Sequence, residues 1–358
     1  MAHRGLSLST DIPGIKGRGS RENPANRFEQ IEFEPSEEEI REGMSPKTVF
    51  YKDTAKSIIS YNDSPDVGFN AGINPYRGCE HGCIYCYTRP THEFLGFSLG
   101  LDFETNIFVK EDAPELLRKE LGSPKYKPET IAISGNTDCY QPAEKRFEIT
   151  RRCLEVLAEF KNPVGIVTKN YLVTRDIDIL KESAEWNGAL VAVSITTLDP
   201  ELKRVMEPRT SEPKLRLRAI EELSSKGIPV IVMAAPVISG LTDHELPNIL
   251  QSAADAGARG AGYIMLRLPY GVSDIFTSWL ERYFPDRKDK VLNRIKSVRG
   301  GNLNSARFHQ RMRGEGIYAE QVKDLFDMAC KKAGFNPQQM TLSIDQFKKP
   351  GGTQLDLF

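Results

Sequence analysis

Between about residue 70 and residue 270 short apolar runs alternate with longer amphipathic stretches. The runs 72–76, 130–134, 164–168, 190–195, 229–235 and 262–266 have the length and continuity of buried strands. Between them, 113–121, 143–160, 174–186, 213–226 and 243–256 carry apolar residues at helical spacing. Asp112 before Ala113 and Pro114, and Thr242 with Asp243, read as helix starts; Gly122, Gly227 and Gly257 read as stops. Six strands alternating with helices predict a parallel sheet joined by right-handed crossovers. Periodicity alone does not choose between an open doubly wound sheet and a barrel.

The flanks follow other patterns. Residues 1–45 are rich in Gly, Pro, Ser and Glu, with a mostly acidic run over 34–42. So little apolar surface does not offset the entropy of ordering, which predicts a flexible tail, with Phe28, Ile31 and Phe33 as residues for local docking. Residues 46–70 show no clear period. Beyond the alternating region, 286–313 holds nine Lys or Arg against two Asp, with Gly300, Gly301 and Asn302 breaking two helical stretches. The expected organisation is a tail over 1–45, an α/β unit over 46–270, a helical and basic extension over 271–348, and a second flexible tail over 349–358.

Composition narrows the class. The chain has 358 residues and a formal net charge of −1, so any basic surface is local. Its longest apolar run, 228–238, is too short for a bilayer and contains Pro229 and Pro236. Residues 1–20 carry charges and glycines where a signal peptide needs an apolar core. The expectation is a soluble, cytoplasmic protein without membrane contact.

Three of the six cysteines lie close together, as Cys79-x3-Cys83-x2-Cys86. Thiolates at that spacing hold three corners of one [4Fe-4S] cube and leave the fourth iron open to a chelating small molecule. Gly78 and Gly82 let the backbone approach such a core. The competing readings are a Cys3His zinc site completed by His81 or His92, and three ordinary buried thiols. No second Cys-x2-Cys pair supports zinc, and a disulfide framework does not suit a long chain without a secretory segment.

With Tyr85 directly before the last cysteine, this loop resembles the radical S-adenosylmethionine (SAM) superfamily, whose motif is Cys-x3-Cys-x-aromatic-Cys. The resemblance implies a partial (β/α)6 barrel with the cluster loop after its first strand. It also implies that the open iron binds the amino and carboxylate groups of SAM, and that an electron from the cluster cleaves SAM to a 5'-deoxyadenosyl radical. The electron would come from a donor such as flavodoxin or ferredoxin.

In a barrel of this kind the chemistry lies at the C-terminal ends of the strands. After the second strand, Ser134, Gly135 and Asn136 stand where the family often has a Gly-Gly-Glu-like turn for the SAM amino group, so the contact falls to backbone carbonyls or Asn136. Asp138 is the nearest carboxylate; a plain glycine turn is the alternative. Lys169 and Arg209 are candidates for the SAM carboxylate, Lys169 being otherwise a solvated loop lysine. Ser194 and Thr196 stand at the ribose position. The stretch 236–243, with Ile238 and Gly240, resembles the family's adenine-binding segment, although Pro236 and Asp243 replace its Gly and Glu. Arg267, at the sixth strand, faces either substrate or a structural carboxylate.

Within the superfamily the chain looks most like the branch containing spore photoproduct lyase, which splits a thymine dimer in DNA. That enzyme has a thiol just after its second strand, which makes Cys139 a candidate hydrogen donor; the alternative is a small buried hydrophobe, as for Cys153 and Cys330. Arg307, Arg311 and Arg313, with Phe308 and His309 among them, suit phosphates and stacked bases, or else form a solvated charged face. Gln354, Leu355, Leu357 and Phe358 resemble the bacterial peptide that binds the sliding clamp, following a Gly-containing linker.

Together these readings predict a radical SAM enzyme acting on modified or damaged DNA and tethered by the clamp. The alternatives are radical chemistry on a protein, RNA or small molecule, and a non-catalytic iron–sulfur or zinc module associated with the clamp.

Overall fold

The computed structural model describes residues 15–28, 46–335 and 341–350. Its strands are β1 (Val49–Lys52), β2 (Ile59–Tyr61), β3 (Ala71–Ile73), β4 (Tyr76–Arg77), β5 (Asn106–Val109), β6 (Ile131–Ile133), β7 (Val164–Thr168), β8 (Ala189–Ser194), β9 (Val230–Val237) and β10 (Gly260–Met265). Seven form one sheet in the order β10-β9-β8-β7-β6-β3-β2.

That order chooses between the two architectures. From β3 through β10 the six parallel strands follow one another in sequence order, so every crossover steps in the same direction. Right-handed crossovers that never reverse place all helices on one face, whereas a doubly wound sheet reverses at a switch point. The sheet therefore curls around its helix-free face as a partial (β/α)6 barrel. β2 adds an antiparallel edge, pairing Ile59 with Ile73 and Tyr61 with Ala71.

The predicted strands and helices appear with local changes. The first strand stops at Ile73 because Pro75 has no N–H for the ladder; β4 then leaves to pair antiparallel with β5 in a small sheet ordered β1-β5-β4. The helix expected over 143–160 breaks at Glu148, where φ is 52°, into Glu144–Phe147 and Ile149–Glu159. The Glu144 carboxylate sustains the break by accepting the Thr150 N–H at 3.0 Å and the Arg151 N–H at 3.3 Å, in the manner of an N-cap. The helices expected over 174–186 and 243–256 begin as tight turns and continue as Ile177–Glu185 and Leu246–Asp255.

The main core lies between the sheet and these helices. Ile131, Ile133, Val191, Val193, Val230 and Val232 meet Leu117, Leu154, Leu180, Ile220 and Leu250, all buried. Each such side chain contributes about 1.5–3 kcal/mol relative to an exposed one.

A second core joins the cysteine loop to the C-terminal extension. Cys83, Ile84 and Tyr85 pack with Met206, Leu241, Leu268, Phe276 and Trp279. The helix Val272–Tyr283, assigned to a separate extension, is thus the wall behind the loop. Of the two helical stretches expected over 286–313, only Lys288–Ser297 forms; residues 303–307 are irregular and 308–313 are turns. Arg299 shapes them, buried and donating to the carbonyls of Met265, Leu266, Gln310 and Arg311.

The N-terminal expectation needs correction over 15–28. Arg18, Ser20, Glu22 and Asn26 are buried, because polar bonds rather than apolar burial seat this strap. The Arg18 guanidinium donates to the Glu104 carbonyl at 2.8 Å, and the Gly19 and Ser20 N–H groups donate to the Glu104 carboxylate at 2.9 and 2.7 Å. Phe28 is exposed and stacks on Phe94 at 4.9 Å. Ile31 and Phe33 lie outside the described residues.

Candidate active site at the mouth of the barrel

The cysteine loop is held from both sides by backbone. The Cys79 N–H donates to the Phe103 carbonyl at 2.9 Å, the Ile84 N–H to Met206 at 3.0 Å, and the Cys86 N–H to Cys83 at 3.2 Å. Gly78 and Gly82 take φ of 78° and 67°, and a Cβ on Gly82 would stand 2.6 Å from a Glu104 carboxylate oxygen. That carboxylate pairs with Arg89, also buried, which donates to the Cys83 carbonyl at 3.0 Å.

All six cysteines are free, and Cys79 and Cys83 are buried. Burial pushes the Cys79 thiol well up, and Asp138 and the charges of Cys83 and Cys86 push it further. Thiolates this close repel unless cations lie between them, which suits the separate irons of a cube. Neither histidine completes a zinc site. His81 sets Nδ1 3.4 Å from Asp138 and Nε2 3.2 Å from the Asn170 amide nitrogen. His92 is buried against Phe97, Phe103 and Phe108, and burial drives its pKa down to about 4. Among the described residues no three Cys, His, Asp or Glu side chains converge on a position for one metal ion. Cys79, Cys83 and Cys86 fit a [4Fe-4S] cluster better than zinc.

Beside the loop lies a buried ionic knot that the sequence did not disclose. Glu207, fully buried, accepts from the Tyr85 hydroxyl and from Thr196 at 2.8 Å, and pairs with the buried Arg216. Burial alone would raise its pKa; Arg216 and Lys169 outweigh that and lower it to about 2. Sequence reading passed over Glu207 in favour of Arg209, two residues on. Arg209 instead pairs with Glu80 at 3.0 Å and donates its N–H to the His81 carbonyl, so a protein carboxylate already occupies it.

The other strand-end residues separate similarly. Ser134 and Gly135 take φ of 85° and 155°, making the tight turn after β6; Asn136 donates its N–H to Asn74 at 3.0 Å. Asp138 accepts from Thr168 and the Lys169 N–H, both at 2.7 Å, and therefore braces the turn after β7. Lys169 is no solvated loop lysine: Nζ donates to the Ala235 carbonyl at 3.0 Å, 3.8 Å from Glu207 and 5.9 Å from the Tyr85 ring centre. Thr196, expected at the ribose, is bound to Glu207, and Ser194 is buried with its carbonyl on Arg216. Ile238 is fully buried, and Gly240, at a φ of 82°, lies against Arg294 in the turn after β9. Cys139 has no exposure, lies in the main core, and has both backbone groups bonded. Its packing is that of a buried hydrophobe and not of a thiol at the mouth.

Tyr87 was missed altogether. Its hydroxyl donates to the Gly135 carbonyl, and the Arg267 guanidinium lies 4.9 Å from the centre of its half-exposed ring. One side chain thereby joins the cysteine loop to the ends of the second and sixth barrel strands. Of the three arginines expected to meet nucleic acid, two are engaged internally: Arg311 pairs with Asp66 at 2.5 Å, and Arg313 donates to the Tyr263 carbonyl at 3.1 Å. Arg307 and Phe308 are exposed. Gln354, Leu355, Leu357 and Phe358 lie outside the described residues, and no helix among the described residues is long and apolar enough to cross a membrane.

Comparison with known proteins agrees with this geometry. The family model described as the radical SAM superfamily matches residues 73–253. An uncharacterized protein of Mycobacterium tuberculosis is 40% identical over 220 residues, 61% of this chain and 65% of the relative, so the match spans just under two thirds of that protein. An uncharacterized protein of Methanocaldococcus jannaschii is 30% identical over 202 residues, 56% of this chain and 73% of the relative. Among solved structures, a spore photoproduct lyase variant with bound AdoMet and dinucleoside spore photoproduct superposes with a TM-score of 0.59. It covers 87% of this chain and 86% of that one at 16% identity, a likeness of fold.

Proposed function

We propose that this chain, which belongs to the radical SAM superfamily, acts on modified or damaged bases in DNA. Family membership brings a [4Fe-4S] cluster and SAM; when bound, they supply a 5'-deoxyadenosyl radical that takes hydrogen from a substrate. The observation that carries the reading is the loop of Cys79, Cys83 and Cys86 at the mouth of the barrel, with Cys79 and Cys83 buried, all three thiols free of disulfides and the loop backed by glycine. Those cysteines hold the cluster, and the knot of Tyr85, Glu207 and Arg216 fixes the loop behind it. Lys169, the cation nearest that knot, is the candidate for the SAM carboxylate.

The DNA assignment is supported by the fold likeness to spore photoproduct lyase and by the exposed Arg307 and Phe308 near the mouth. The tail Gln354–Phe358, by its resemblance to clamp-binding peptides, would tether the enzyme to the sliding clamp in the cytoplasm. The internal pairing of Arg311 and Arg313 favours a second reading, radical chemistry on a small molecule.

The test is anaerobic. Reconstituted protein with dithionite and SAM should release 5'-deoxyadenosine, and Cys83→Ala should not. Ultraviolet-irradiated DNA should then lose a lesion, detected by mass spectrometry of its nucleosides. Radical formation without any change in DNA would move the assignment to a small molecule.

A further inference from the structure

Arg267 follows β10 by two residues and is largely withdrawn from water, yet among the described residues no carboxylate lies within 4.0 Å of it. Its Nε is buried without a partner, and Nη1 has only the Met312 sulfur at 3.7 Å, a weak acceptor. Asp66, the acid in its surroundings, is taken by Arg311 and by the His309 N–H at 2.6 Å. The sequence left open whether Arg267 faces substrate or a structural carboxylate, and the packing removes the second choice. The Tyr87 ring supports the guanidinium, and Tyr87, the residue after Cys86, is itself fixed on the Gly135 carbonyl.

A planar fork with unmade donors suits an anion that offers two oxygens, a phosphate or a carboxylate. The neighbouring surface favours phosphate. Arg311, though neutralised by Asp66, lies 4.5 Å from the ring centre of the exposed Phe308 and supports that ring, and the cation exposed beside it is Arg307. Cations interleaved with aromatic faces match a strand of alternating phosphates and bases. We infer that Arg267, braced on Tyr87, binds a phosphate of an unpaired nucleic-acid strand at the mouth of the barrel, while Phe308 stacks on a neighbouring base. The inference rests on the nucleic-acid reading above and deepens it.

The test is fluorescence anisotropy of the reconstituted protein with a labelled oligothymidylate across a salt series, kept anaerobic. Arg267→Gln should weaken binding roughly tenfold and reduce the slope of log affinity against log salt by about 0.7, one phosphate's share on a single strand. Arg267→Lys should keep the slope, which guards against a folding defect. Phe308→Ala should weaken binding at unchanged slope. If wild type binds and Arg267→Gln binds equally with the same slope, the inference is overturned while the nucleic-acid reading stands. If wild type ignores the oligonucleotide even at low salt, both fall; capture of an acidic peptide that depends on Arg267 would then assign the fork to a carboxylate.

Discussion

Gly19 lies so close to Gly82 that a Cβ on the former would stand 1.7 Å from the carbonyl oxygen of the latter. The strap over 15–28 therefore touches the cysteine loop backbone to backbone, and the bonds from Gly19 and Ser20 to Glu104 hold it there. Gly19→Ala should push strap and loop apart, costing about 1–3 kcal/mol by overpacking. The expected outcome is faster bleaching of the reconstituted cluster in air, followed by visible absorbance, with iron content after anaerobic reconstitution unchanged. Equal bleaching rates would mean that the strap does not shield the loop.

Glu207 gives the fold a signature in acid. Its pKa is about 2 against an ordinary 4.5, so its contribution to stability is fully present above about 4.5 and is lost as pH falls towards 2. Glu207→Gln leaves Arg216 buried without its counter-charge and should destabilise the protein by about 3–5 kcal/mol. Denaturant melts at several pH values should show wild type losing stability below pH 4.5 more steeply than the variant. Parallel curves would indicate that Glu207 is not ionised against Arg216 in solution.

Cys139 supplies a test between core and chemistry. As a packed hydrophobe it should tolerate Ala, at about 1 kcal/mol for the small cavity, and substrate turnover should continue at a similar rate. Turnover that stops while 5'-deoxyadenosine is still released would restore the thiol as a hydrogen donor. Partition of deuterium from solvent into product gives the same answer independently.

The barrel was legible because its strands are continuous apolar runs separated by helices of ordinary length, as for Val164–Thr168 and Pro213–Ser225. Chain order then decided the architecture, a property of strand pairing that periodicity does not contain. The small sheet escaped notice because β1 is mostly exposed and β4 has two residues, so neither reads as a buried apolar run. The cysteine loop was legible because its ligands are local. The knot was not: Tyr85 and Glu207 lie 122 residues apart, and nothing along the chain marks a carboxylate as the partner of a distant phenol. The strap was misread for a different reason. Its order comes from hydrogen bonds to the carboxylates of Glu104, Glu93 and Asp102 and to backbone carbonyls, and a measure of apolar content does not register them.

The second core has a consequence for the order of synthesis. Ile84 and Tyr85 emerge from the ribosome long before Leu268, Phe276 and Trp279, the residues that close around them. Until those last partners appear, Cys83, Ile84 and Tyr85 lack the apolar wall that buries them in the finished protein.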